Sequence, residues 1–401
     1  MRPPLKVALL LWPDTFEDWY APLEIDRTRY LEDYESEWSI TFARILGAAD
    51  IEVHLVFSTL GVPATEVQRA SGATVHFVPA SPLYRAFRAA VWGHRLWEIA
   101  SRVWPAAPLV STFSPTLLGR MASLRADVCV IQDYESLRFD VAAPVLRVLR
   151  QRVVAVDVGG SSRPLRHPLH RFTTRCAHRL LAVHQAEASR ARRMLRHPDV
   201  GVWPVPVRTD VFRPQDRRSA RRTLGIDLDT RLVVSVGRLH PVKGLHDLAG
   251  ACASLDCDLV LAGAGSEHDD LVARRDPRLH LVGWVSPAEA ALWYAAADVV
   301  ALASRQEGQP TAVLEALACG RGVVATAVGG VPEVVLPRET GWLARPRVVE
   351  DLRLAIKEAL TDVTEADRRG ERGRQLVMSR HSPESSTAEL LRLLSPQLAR
   401  R

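Results

Sequence analysis

Lysine is nearly absent. Of 52 basic residues, only Lys6, Lys243 and Lys357 are lysines, so a lysine inside a motif stands out. Cysteine is also scarce. The five (Cys129, Cys176, Cys252, Cys257 and Cys319) are odd in number and scattered, which argues against a disulfide framework or a zinc ribbon. They read as reduced thiols in a cytoplasmic protein. No apolar run approaches membrane-spanning length. The run Val7–Trp12 is too short for a signal peptide and is followed by Pro13-Asp14, so it reads as a buried first strand. The thirteen histidines form no metal cluster. Asp227-Leu228-Asp229 and Asp256-Cys257-Asp258 fall in turns before strands, so neither a metal nor a cofactor is expected. Acids are fewer than bases. The net charge of +6 favours anionic ligands without choosing among nucleic acid, membrane and phosphorylated substrate. No nucleic-acid motif with an aromatic platform is present.

What the chain does have is length and alternation. Its 401 residues are too many for one ordinary core and suggest two domains. In the second half, apolar runs at Leu232–Val236, Leu259–Gly263, Leu279–Gly283, Val299–Ala303 and Val323–Thr326 read as parallel strands buried on both faces. Helices are expected between them over Leu245–Leu255, Glu267–Arg275, Pro287–Ala297 and Pro310–Cys319. This is the pattern of a doubly wound α/β sheet. The first half has the same grammar, with strands expected at Lys6–Leu11, Glu52–Phe57, Thr74–Val78, Val128–Gln132, Val153–Val156 and Leu180–Val183. Helices are expected there at Glu37–Ala48 and Pro144–Arg150. Three prolines in Gly201–Pro214 suit a stiff connector. The expected division is 1–203, 204–382 and a final helix over 383–401 that packs back on the first domain.

Ligands of doubly wound sheets sit beyond the carboxyl ends of the strands. Four segments fall there: Gly237-Arg238, Gly263, Gly283-Trp284 and Ser304–Glu307. Gly237-Arg238 leads to Lys243-Gly244, bringing two cations to a helix start, which suits a diphosphate. A solvated basic loop would look the same. Glu307, on the loop after Val299–Leu302, and Glu315, on the next helix, flank a helix start. Pro310 is expected as its first residue and Gly320 as its left-handed stop. The helix is apolar around Glu315, so a carboxylate there needs a partner. Two hydroxyl-binding carboxylates around a phosphate cradle suit a nucleotide sugar. Val282-Gly283-Trp284 ends another strand.

These motifs, in this order and spacing, resemble the family 4 glycosyltransferases over roughly Pro204 to Leu360. The set is Val236-Gly237-Arg238 with Lys243-Gly244, Leu261–Gly265, Val282-Gly283-Trp284, Glu307-Gly308 through Glu315-Ala316, and Gly329–Glu333. The resemblance implies a GT-B fold: two Rossmann-like domains facing across a cleft. It also implies a retaining, metal-independent transfer of a hexosyl group from a nucleotide-diphosphate sugar to a hydroxylated acceptor. Arg238 and Lys243 would hold the diphosphate and stabilise the leaving group. Glu307 would contact the sugar and Glu315 the ribose. Gly237, Gly308, Gln309, Pro310 and Thr311 would lie along the donor, and Val282, Gly283 and Trp284 against the base.

The first half departs from that pattern. Trp12–Phe16 stands where the family has a glycine-rich loop, and Asp157–Gly160 where a histidine is expected. Its acceptor-side candidates are Asp14, Asp133, Glu135 and Asp157, each also readable as an ordinary turn acid. Alternative readings are an epimerase or phosphorylase on the same scaffold, or a membrane-associated binding protein. The basic, helical-looking stretch Arg163–Arg196 and the aromatic, arginine-rich Leu83–Trp104 motivate peripheral contact at the inner membrane face, where a lipid-linked acceptor could be reached.

Overall fold

The computed structural model describes residues 4–11, 15–21, 25–32, 38–70, 72–92, 114–158 and 168–398. The chain divides into two compact units. Unit 1 takes Met1–Val183, Glu187–Trp203 and Glu389–Arg401, and unit 2 takes His184–Ala186 and Pro204–Ala388.

Unit 1 carries an eight-stranded sheet. Its strands are β1 (Lys6–Leu10), β2 (Glu52–Thr59), β3 (Glu66–Ala70), β4 (Ala73–Pro79), β5 (Val128–Gln132), β6 (Val153–Asp157), β7 (Arg179–Ala182) and β8 (Val200–Val202), in the order β3-β4-β2-β1-β5-β6-β7-β8. All neighbours are parallel except β3 and β4. The central strands β1, β5 and β6 are buried almost throughout, as their unbroken apolar runs require. The polar edge strand β3 is mostly exposed and has no apolar run to betray it.

Two expectations for this unit are corrected. The helix expected to begin at Pro144 spans Leu137–Val148, with Pro144 inside it. Ser136 Oγ accepts from Phe139 N–H at its start, and Phe139, Ala142, Ala143 and Leu146 are buried. This anchoring outweighs the one hydrogen bond that proline removes. The stretch Arg163–Arg196 is not one helix. Its described part breaks into a helix Pro168–Thr173, a turn, β7 and a helix Gln185–Leu195, because Leu180–Ala182 is needed as a buried strand. Of Leu83–Trp104, only the part within helix Pro82–Trp92 is described.

A directional hydrogen-bond chain crosses β2 and β4. Arg120 donates to His76 Nδ1 (3.0 Å), so His76 Nε2–H donates to His54 Nδ1 (2.8 Å), and His54 Nε2–H donates to Glu52 (2.8 Å). Lys6 also faces Glu52 at 3.4 Å. Both imidazoles are buried and fully used in the neutral form. Burial, with Arg120 adding to it, pushes His76 down to about 4, and burial lowers His54 as well. The unfolded chain therefore takes up these protons first. We expect stability to hold above pH 6.5 and to fall by about 3 kcal/mol as pH drops toward 4. Thermal unfolding followed across that range checks it, and a His76→Phe variant is expected to flatten the slope.

Unit 2 carries six parallel strands: β9 (Leu232–Val236), β10 (Asp258–Ala262), β11 (Leu279–Gly283), β12 (Val299–Leu302), β13 (Val323–Thr326) and β14 (Gly341–Ala344). Their order is β11-β10-β9-β12-β13-β14. Strand order reverses between β9 and β12. That places the topological switch point, where such sheets bind ligands, between the loop after β9 and the loop after β12. The core lies on both faces of the sheet.

Candidate functional site

The loops after β9 and β12 are brought together by backbone contacts. After β9, Arg238 is exposed while Leu239 is buried as an anchor. Pro241–Lys243 then forms a tight turn, and His240 Nδ1 accepts from Val242 N–H. Gly244 follows at φ +61°, where a Cβ would stand 2.2 Å from the carbonyl oxygen of Ala303. Only glycine permits this approach. Arg305 N–H also donates to the Val242 carbonyl at 2.7 Å.

This packing makes an ion pair. Lys243 Nζ lies 2.6 Å from Glu307 Oε1, and Ser304 Oγ donates to the same oxygen at 2.5 Å. Ser304 is held in turn by Thr326, whose hydroxyl donates to its carbonyl. Lys243 and Glu307 are mostly buried, with side-chain exposures of 22% and 9%. Gly237, Arg238, Lys243 and Ser304 line one small cavity at the strand ends. Arg238 has no ion-pair partner among the described residues. An exposed guanidinium beside a lysine, both over one cavity, is a place for an anion with more than one charge.

The carboxyl side is built on the next helix, Thr311–Ala318. Pro310 precedes it rather than opening it. Thr311 N–H turns back to the Gln309 carbonyl (2.9 Å), and the Pro310 carbonyl accepts the first helical bond, from Leu314 (3.1 Å). The missing N–H of Pro310 costs nothing in this position either. Gly320 ends the helix with φ +73°. Gly308 is tied to the neighbouring loop, its carbonyl accepting from Gly330 N–H at 3.0 Å.

Glu315 lies on this helix and accepts a hydrogen bond from Tyr294 Oη at 3.1 Å. The residue as a whole is only partly buried. Its carboxyl group is packed deeply enough that burial pushes its pKa up to about 7, against the opposing effect of the Tyr294 hydroxyl. Tyr294, fully buried on helix Pro287–Ala296, has no outward sign in the sequence beyond its place in an apolar helix. Ser304 and Arg305 stand out only as part of a strand-end segment; their contacts with Glu307 and Asp247 (3.1 Å) carry no spacing signal.

Val282, Gly283 and Trp284 close β11, two strands from β9. Val282 and Trp284 are 37% and 42% exposed, so this strand end presents apolar surface. The Asp-x-Asp pairs lie at the opposite end of the sheet. Asp229 N–H donates to Asp227, Asp256 pairs with Arg278, and Asp258 pairs with His280.

Unit 1 spreads its acidic candidates differently. Asp14 lies outside the described residues. Asp133 sits at φ +62° just after β5 and accepts from Glu135 N–H. Glu135 is buried and paired with Arg190 at 2.6 Å. Arg190 also holds Glu187, which accepts from the Tyr134 hydroxyl. Glu135 thus has a structural partner. Asp157 is the buried last residue of β6. Burial first, then the nearby charges of Asp157 and Glu187, raise the Tyr134 hydroxyl well above its ordinary range.

Residues 230–362 match the family model described as Glycosyl transferases group 1, and every unit 2 residue named above from Gly237 to Gly330 falls inside that span. The chain resembles the D-inositol 3-phosphate glycosyltransferase of Mycobacterium leprae, with 36% identity over 178 residues (42% of this chain and 40% of the relative). For the protein of that name from Mycobacterium bovis BCG, identity is 35% over 215 residues, 51% and 42% of the two chains. The chain thus matches about two fifths of these relatives' length. Among solved structures, the sucrose-phosphate synthase of Thermosynechococcus elongatus superposes with a TM-score of 0.73 at 20% identity, over 99% of this chain and 100% of that one. Anabaena HepE in complex with UDP gives 0.72 at 16%, over 98% and 100%.

The fold is GT-B. The doubly wound architecture expected from strand and helix alternation is therefore confirmed.

Proposed function

We propose that the chain is a glycosyltransferase that moves a sugar, with retention and without a metal, from a nucleotide-diphosphate sugar to a hydroxylated acceptor. The observation that carries this reading is the Lys243–Glu307 pair beside the exposed Arg238 at the switch point of unit 2. The names of the relatives and the UDP-bound HepE structure support it. In this reading Arg238 and Lys243 take the diphosphate. Their charge stabilises the leaving group as the glycosidic bond to phosphate breaks, where electrostatic help has most effect. Glu307, already oriented by Ser304 and Lys243, accepts hydrogen bonds from the donor sugar's hydroxyls. Glu315 accepts from the ribose hydroxyls. Gly237, Gly308, Gln309, Pro310 and Thr311 lie along the donor. Val282, Gly283 and Trp284 offer the base its apolar wall. Unit 1 takes the acceptor, with Asp14, Asp133 and Asp157 as its candidates and Glu135 in support. In this reading unit 2 takes the donor and unit 1 the acceptor, the roles expected for 204–382 and 1–203.

The test is product analysis with a panel of nucleotide-diphosphate sugars, a hydroxylated acceptor and a chelator. Sugar transfer with the donor's anomeric configuration kept is expected. Conversion of the donor without acceptor, or turnover only with inorganic phosphate, would replace this reading with an epimerase or a phosphorylase.

Glu315 makes a second prediction. Its pKa is higher folded than unfolded, so its stability contribution is full below about pH 4.5 and is lost as pH rises through about 7. Glu315→Gln removes that ionisation while keeping an acceptor for Tyr294. The variant is expected to be more stable than the parent at pH 8, by on the order of 1 kcal/mol. It is also expected to bind nucleotide diphosphates more weakly, because an amide accepts a ribose diol less well than a carboxylate. Melting temperature and calorimetric affinity, measured on the same samples, check both halves.

A further inference from the structure

Among its described residues, unit 1 exposes an apolar corner. Helix Leu137–Val148 ends with Val148 and Leu149 at 81% and 49% exposure, and Phe172 on the adjoining helix Pro168–Thr173 is 66% exposed. Single exposed apolar residues are common, but these three belong to two elements packed on one another. Arg147, in the last turn of the first helix, reaches His178 just past the second and lies close to Cys176. The second helix packs on Asp140 in the first turn of the first, and the chain after it runs on to Arg147, so both helices border one corner.

That corner is basic. Arg147 and Arg150 flank the Val148–Leu149 tip, and Arg171 and Arg175 flank Phe172, all four exposed. Residues 141–152 and 168–182 contain no Asp or Glu. Asp140, which precedes the first of these stretches, is buried against His170 and Thr173, and Asp199 is held by Arg179. Helix-dipole complementarity accounts for Arg147 but for neither the exposed apolar side chains nor the other arginines.

We infer that this corner docks unit 1 on an anionic lipid surface, with Val148, Leu149 and Phe172 entering the interfacial layer and the four arginines meeting lipid phosphates. A membrane interface offers an apolar layer and a negative surface together. A nucleic acid offers Val148 and Leu149 no apolar partner, and an acidic protein would need its own apolar patch at the same place.

The test is sedimentation of the full chain with vesicles of phosphatidylcholine alone or mixed with phosphatidylglycerol, at low and high salt. The chain is expected to sediment with the anionic vesicles only, and less at high salt. Replacing Val148, Leu149 and Phe172 together by Ser, or changing Arg150 and Arg171 to Glu, is expected to weaken binding by about tenfold or more. Thermal unfolding should stay at the parent midpoint, and Phe172→Ser alone serves as a milder variant. Failure to bind anionic vesicles at low salt would overturn the inference. So would unchanged binding by properly folded variants, or binding to a soluble acidic polypeptide without any to vesicles.

Discussion

Lys243→Ala is expected to lower turnover by about 10²–10³-fold, the range seen when one stabiliser of developing charge is removed. The fold is expected to survive with a loss of a few kcal/mol at most, since Glu307 is largely buried but keeps the Ser304 hydroxyl as a donor when the ammonium is removed. Lys243→Arg is also expected to fail substantially. The space between Gly244, Ser304 and Glu307 is shaped for a compact ammonium 2.6 Å from one carboxylate oxygen, and a planar guanidinium spreads its donors differently. Arg238→Ala should act in the same direction with even less effect on stability, because Arg238 is exposed. Lys357→Ala, on the exposed side of helix Val349–Thr361, is the control for loss of a lysine. Steady-state rates beside melting temperatures separate these outcomes. Full activity in both Lys243→Ala and Arg238→Ala would remove the proposed diphosphate site.

Gly329→Ala is expected to damage both stability and turnover without touching a charged group. Gly329 sits at φ +51°, and a Cβ built there would lie 1.8 Å from the carbonyl oxygen of Glu307, with the Glu307 carbonyl carbon at 2.7 Å. Backbone cannot be brushed aside as a flexible side chain can, so the Glu307–Gly308 loop must shift. We expect a loss of about 2–4 kcal/mol from strain and lost packing. A displacement of about 1 Å at Glu307 is enough for a further 10²-fold fall in rate. Gly225→Ala provides the comparison. It has a similar φ of +70°, with nothing within 4 Å of the built Cβ, and it follows a helix remote from the switch point. It should cost only the backbone strain, about 1 kcal/mol, and leave turnover alone.

How much of this could be read from the chain depended on local signals. Parallel strands buried on both faces are continuous apolar runs, so β9, β10, β12 and β13 were legible almost to the residue. The polar edge strand β3, the three-residue β8 and the mixed β14 carry no such run and were not. Pro144 misled because proline marks helix starts on average, whereas here Ser136 and four buried side chains hold the helix through it. At the site, the residues at strand ends were legible because glycine, lysine and glutamate are costly or unusual there. Their mutual arrangement was not. That Lys243 meets Glu307 depends on the Gly244–Ala303 approach, a contact between distant segments. The hydroxyls of Ser304 and Tyr294 have no periodicity to reveal them. In unit 1, Glu135 looks like an open carboxylate until Arg190 arrives from 55 residues later in the chain, within one shared network.

The central claim is that the switch point of unit 2 holds a nucleotide diphosphate through Arg238 and Lys243. Its most direct test is the change in melting temperature of the full chain with UDP, GDP, ADP and their sugars, repeated on Lys243→Ala. A ligand that binds only the native state stabilises it by mass action. At least one nucleotide diphosphate is expected to raise the parent's melting temperature, more than its monophosphate does, and to raise that of Lys243→Ala little or not at all. No stabilisation by any nucleotide at saturating concentration, or equal stabilisation of parent and variant, would contradict the account.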